Sequence, residues 1–204
     1  MTIDDLRICF VGDSFVNGTG DPACLGWTGR VCTALIEQGH GVTYYNLGIR
    51  RETSSDIAAR WRQEVIPRLA HGCEARLVFS FGVNDTTPQG SSSRISYTDS
   101  LANTESILRS ASVVAPTLMI GPQPIADERQ NVVTAKLAQG MQEICASVGV
   151  PFLDVFTPLH KSTVWMDEVQ AGDGAHPSAA GYAEFAGIVL GASPWREWFD
   201  GADR

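Results

Sequence analysis

Arg7-Ile8-Cys9-Phe10-Val11-Gly12-Asp13-Ser14 opens the reading: four apolar residues in succession, then a glycine and two turn formers. A run this short and this apolar reads as a strand buried on both faces. Outward from it, Gly26 to Gln38 reads as a helix, with Val31, Leu35 and Ile36 at helical spacing and Gly39 and Gly41 as stop signals. Val42 to Leu47 is a second strand, rich in β-branched and aromatic residues. Ser54 or Ser55 caps a helix to about Ala70, with Ile57, Trp61 and Val65 on one face. Leu77 to Phe81 is a third strand, followed by a Gly/Ser/Pro-rich loop at Pro88 to Ser93. A helix from Tyr97 to Val114, a fourth strand at Thr117 to Ile120, and a helix from Arg129 to Val148 interrupted by Gly140 come next. Phe152 to Val155 is the fifth strand, and Pro177 to Leu190 the last helix.

This alternation, without internal repeat or linker, predicts one α/β domain over residues 1–204. Its expected form is a five-stranded parallel sheet covered on both faces, a three-layer sandwich of flavodoxin-like order 2-1-3-4-5. Ligands of such sheets bind at the carboxyl ends of the strands, near the switch point between the first and third.

Bulk properties narrow the function classes. The 204 residues are 44% hydrophobic and 19% charged, with a net charge of −8. That balance argues against nucleic acid or an anionic membrane as the main partner, since both need a basic surface. No apolar stretch approaches the roughly 18 residues of a membrane span. Met1 to Arg7 has no basic segment leading into an apolar one, so a cytoplasmic location is expected. The five cysteines form no Cys-x-x-Cys pair, and reduced thiols are expected. Oligomeric state leaves no mark in the sequence.

Four segments lie where the strand-end rule points: Gly12-Asp13-Ser14-Phe15, Asn46-Leu47-Gly48, Gly82-Val83-Asn84-Asp85, and Asp173-Gly174-Ala175-His176-Pro177. Each alone is an ordinary turn or cap. Together they supply the parts of a hydrolase. A serine hydroxyl needs a positioned base to take its proton, and histidine titrates near neutral pH. The histidine needs a carboxylate on Nδ1, and Asp173 stands three residues before His176. Pro177 suits the first position of the helix that follows. Backbone N–H groups of Ser14 and Gly48, with the amide of Asn84, form a candidate oxyanion hole. Glycine at 48 would let a substrate approach the backbone closely.

These blocks, in this order and spacing, resemble the SGNH hydrolases, also called GDSL-type lipases and esterases. Phe15 stands where leucine is usual. The resemblance implies Ser14, Gly48, Asn84 and His176 as the four family residues, a Ser-His-Asp triad with Asp173, a small-molecule ester substrate, and no metal or organic cofactor. Many members carry a further glycine three residues after the oxyanion glycine, and this chain has Arg51 there. Arg50 and Arg51 are either solvated loop residues or border the cleft, with Arg51 meeting an anionic group of the substrate. Trp27 and the Pro88 to Ser93 loop are placed near the rim, with core packing or plain surface exposure as the alternatives for Trp27.

Competing readings fit less well. A nucleophile elbow of the α/β-hydrolase kind needs Gly-x-Ser-x-Gly, and position 16 is Val16. Gly12, Gly18 and Gly20 do not have dinucleotide-binding spacing, and no Gly-Lys-Ser or Gly-Lys-Thr is present. Asp13, Asp85, Asp173 and His176 as metal ligands would make a metal-dependent hydrolase. Acyl transfer or thioester hydrolysis at the same site, and a non-catalytic binding module of the same fold, are the remaining alternatives.

Overall fold

The first strand, β1 (Leu6–Gly12), alternates its side chains between two cores: Leu6, Ile8 and Phe10 face one, and Cys9 and Val11 the other. The computed structural model describes residues 2–200. After β1 come α1 (Ser14–Asn17), α2 (Gly26–Glu37), β2 (Val42–Gly48), α3 (Ser54–Val65), a 3-10 turn (Ile66–Arg68) and β3 (Glu74–Ser80). A two-residue hairpin, β4 (Pro88–Gln89) with β5 (Ser92–Ser93), precedes α4 (Tyr97–Ser112) and β6 (Thr117–Ile120). The chain continues through α5 (Glu128–Val148), β7 (Phe152–Leu153), α6 (Phe156–Lys161), α7 (Thr163–Ala171), α8 (Ala179–Gly191) and α9 (Ser193–Asp200).

The main sheet is parallel with order β2-β1-β3-β6-β7. Setting the small hairpin aside, that is the expected 2-1-3-4-5 order of a three-layer α/β sandwich. One core joins the sheet to α2, α7, α8 and α9 through Val31, Trp165, Phe185 and Trp195. The other joins it to α3, α4 and α5 through Trp61, Leu108 and Met141. Trp27 is fully buried, stacked on Phe185 at 4.8 Å and edge-on to Phe10 at 5.4 Å. It therefore belongs to the core and not to the rim.

Several boundaries move for local reasons. Thr53, not Ser54 or Ser55, caps α3 through a reciprocal capping box with Asp56. Pro67 turns the end of that helix into a 3-10 segment. The helix expected from Pro177 starts at Ala179, two residues later, and a further helix, α9, follows it. The fifth strand is only Phe152–Leu153, and α6 and α7 follow it directly. All five cysteines are free thiols. Among the described residues no helix is long and apolar enough to cross a membrane.

Candidate active site

β1 ends at Gly12, where a Cβ would lie 2.0 Å from the Ser80 carbonyl oxygen, so only glycine lets β1 and β3 approach here. Asp13 then caps α1, its Oδ1 accepting from the Phe15 N–H at 3.0 Å. Ser14 is the first residue of that helix and is 3% exposed. Its N–H is one of the orphan donors of a helix start and makes no hydrogen bond among the described residues.

Across the sheet's carboxyl rim, His176 Nε2 stands 2.8 Å from Ser14 Oγ, and its Nδ1 stands 2.8 Å from Asp173 Oδ2. Partial burial pushes the Asp173 carboxyl up. Hydrogen bonds from the His176 N–H, the His176 ring and the Ala175 N–H outweigh it and hold the group at about 2. Asp173 is thus ionised and can only accept at neutral pH, so Nδ1 carries the ring proton. The Nε2 lone pair then faces the Ser14 hydroxyl. The Phe15 ring covers the imidazole at a centroid distance of 5.0 Å.

The loop carrying this pair is anchored from behind. Ser178 precedes α8 but makes no side-chain cap bond. Glu168 of α7 replaces it, accepting from the N–H groups of Ser178 at 2.9 Å, Ala180 at 3.3 Å and Gly181 at 2.7 Å. A carboxylate at a helix N-terminus meets both the orphan donors and the positive end of the dipole.

Asn84 follows β3. Its amide donates to the Glu52 carbonyl at 2.9 Å and to Asp13 Oδ2 at 3.3 Å. Arg60 ties the same region together, reaching Glu52 Oε2 at 2.6 Å and the carbonyls of Gly12 at 3.1 Å and Leu47 at 2.9 Å. Asp85 Oδ1 accepts from the Ser54 N–H at 2.7 Å. Burial, with the Asp85 charge adding to it, pushes Asp13 up to about 7 against the Phe15 hydrogen bond.

That shift has a definite sign. Between the ordinary carboxylate range near 4 and pH 7, the folded chain binds a proton on Asp13 that the unfolded chain does not. The stability it confers is fully present below about pH 4 and is lost as pH rises through about 7. Asp13→Asn, neutral throughout, is expected to flatten the Tm profile between about pH 4 and 7. Where Oδ2 accepted, the variant presents either a second donor to the Asn84 amide or an oxygen at the expense of the Phe15 cap. With Asn84 turned away, kcat is expected to fall by up to about 10² if that amide stabilises charge. A Tm profile as steep as that of the wild type, measured by calorimetry, would contradict this placement of the proton.

Gly48 is not gathered with the others. Its N–H donates to Asn46 Oδ1 at 3.0 Å, and a Cβ there would lie 2.3 Å from Asn17 N and 2.6 Å from the Asp13 carbonyl oxygen. The close approach that requires glycine is to the back of α1, and the expected donor is already bonded.

Ser14, Asn84, Asp173 and His176 instead share a cleft of about 250 Å³ with Arg50 and Arg51. Arg50 Nη2 lies 3.5 Å from Asp173 Oδ2. Arg51 has a left-handed backbone, φ 71°, and its carbonyl accepts from Arg94 Nη1 at 2.9 Å. Its N–H, like that of Ser14, makes no hydrogen bond among the described residues. Sequence reasoning missed Thr87, Ile125 and Gln130, which also line the cleft. The strand-end rule pointed at the β6 rim, where Ile125 and Gln130 lie, but no turn motif marks them. Among the described residues no group of three or more His, Cys, Asp and Glu side chains is arranged to hold a metal ion.

The model of the GDSL-like lipase/acylhydrolase family matches residues 10–184. A search of curated proteins finds no match. Among solved structures, a lipase/acylhydrolase from Enterococcus faecalis is 22% identical with a TM-score of 0.76, over 93% of this chain and 96% of that one. An acetylxylan esterase from Geobacillus stearothermophilus is 19% identical with a TM-score of 0.75, over 95% and 98%. A lipolytic protein of the G-D-S-L family from Veillonella parvula is 17% identical with a TM-score of 0.73, over 92% and 98%. At these identities the likeness is one of fold.

Proposed function

This chain belongs to the GDSL-like lipase/acylhydrolase family, and from that premise we propose that it is a serine hydrolase of small carboxylic esters, acting as a single domain. The observation that carries the reading is His176, bridging Ser14 and Asp173 with two 2.8 Å hydrogen bonds.

Ser14 Oγ attacks the ester carbonyl carbon while His176 Nε2 takes its proton. Asp173, ionised, stabilises the imidazolium and fixes its tautomer. The oxyanion is met by the N–H of Ser14 and by the Asn84 hydrogen now on the longer contact to Asp13. Each such donor contributes about 3 kcal/mol to the transition state. His176 then gives its proton to the departing alkoxide, leaving Ser14 acylated. In deacylation the same ring takes a proton from water, whose oxygen attacks the acyl carbon, and returns it to Ser14 Oγ. The acyl group leaves as a carboxylic acid.

The cleft of about 250 Å³ is small and partly polar, which favours short acyl chains over long ones. In a p-nitrophenyl ester series from acetate to palmitate, kcat/KM is expected to be highest at the short end. A fluorophosphonate probe is expected to label Ser14 in the folded protein, as read by peptide mass. Absence of both turnover and labelling would refute the proposal and favour a non-catalytic binding module.

A further inference from the structure

Arg51 is one of two non-glycine residues with positive φ among the described residues, and it alone of the two lines the cleft. A left-handed arginine is strained because its Cβ crowds the backbone, whereas glycine adopts φ 71° without that conflict. If the position served only through its backbone N–H, glycine would do the same work at lower cost. Strain held at a site is an observation from which a use for the side chain can be argued.

The charges around it say what that use is. Arg50 is paired with Asp173, and Asp173 with His176. Glu52 is paired with Arg60. Among the described residues Arg51 has no carboxylate within ion-pair distance, so an exposed guanidinium without an acidic partner borders the cleft in a protein of net charge −8. A single planar cation of this kind matches one carboxylate, which it can grip with two parallel hydrogen bonds.

We infer that Arg51 selects esters whose acyl part carries a free carboxylate, so that the natural substrate is a half-ester of a short dicarboxylic acid. This rests on the ester-hydrolase reading above. The acyl carbonyl sits at Ser14 while the distal carboxylate lies on the Arg51 guanidinium. The alcohol departs from the open side, and the product is a dicarboxylate. A cleft of about 250 Å³ favours an acyl chain of a few carbons.

The test compares monomethyl glutarate with dimethyl glutarate, which differ in one charge at the far end of the acyl chain, by methanol release. In the wild type, kcat/KM is expected to favour the half-ester at least about tenfold, the lower end of what a charge-assisted hydrogen bond supplies. Arg51→Gln and Arg51→Gly are each expected to lower that ratio by about 10- to 100-fold, mainly through KM for the half-ester. Arg51→Gly also removes the backbone strain, so its Tm is expected to equal or exceed that of the wild type. A ratio near one in the wild type, or one that both variants retain, overturns the inference. In either case Ser14-dependent turnover of the diester would leave the esterase reading standing. Failure to turn over either ester would remove both.

Discussion

Ser14→Ala and His176→Ala are each expected to lower kcat by about 10⁴-fold or more, and the double variant to lose little further. The reason lies in the proton path. Among the described residues Ser14 Oγ has one base within reach, His176 Nε2 at 2.8 Å. Without that base the hydroxyl is a poor nucleophile at neutral pH, and without the hydroxyl the base has nothing to activate for acylation. Each single change removes the same step, so the losses cannot add. Residual turnover would come from the oxyanion donors and from binding, which neither change touches. Both variants should fold. Ser14 accepts no cap bond whose loss would open α1, and the loop around His176 is held by Glu168 and by backbone bonds to Asp173. Single-turnover kinetics on a p-nitrophenyl ester, with circular dichroism to verify the fold, makes the measurement. Losses that multiply in the double variant would mean that the two residues act in separate steps, and the triad reading would fall.

Much of this site is legible in the sequence because its parts are short, local and placed by the strand-end rule. Three residues separate Asp173 from His176, and the turn between them needs only the left-handed Gly174 for the carboxylate to reach both the His176 N–H and its ring. The apolar run at Ile8 to Val11 announces the central strand because both its faces are buried. What stays hidden depends on which neighbour a residue meets. A glycine after a strand says that something comes close, but not what. At Gly48 the backbone of Asp13 and Asn17 fills the place of a side chain. An arginine carries no signal of a left-handed backbone of its own; at Arg51 only the glycine usual in the family at that place hints at one, and the side chain reads either as solvated or as bordering the cleft. The paired short helices α6 and α7 are masked by Pro158 and by Ser162, which breaks the period and caps the second helix. Glu168 looks like one more surface carboxylate until α8 is folded against it.

Gly48→Ala should have the largest effect on stability among the changes considered. The added methyl would lie 2.3 Å from Asn17 N, 2.6 Å from the Asp13 carbonyl oxygen and 2.9 Å from Asn17 Cα. All three are backbone atoms, so no side chain can swing away. Relief requires α1 to move off β2. That movement pulls on the Asn46 side chain, which holds the Val16 carbonyl at 2.8 Å and the Gly48 N–H at 3.0 Å. It also shifts Ser14, which sits in the same turn between Asp13 and Asn17. Overpacking against rigid backbone costs about 3 kcal/mol or more. In a chain of this length that corresponds to a Tm lower by roughly 10 °C. The rate should fall as well, by about 10² if Ser14 Oγ is displaced by about 1 Å from His176. The pairing of the two losses discriminates. Were Gly48 an oxyanion donor at an open cleft wall, alanine would keep its N–H, Tm would hold, and only kcat or KM would change. A Gly48→Ala protein that melts with the wild type while losing activity would return Gly48 to the hole and undo its placement behind α1.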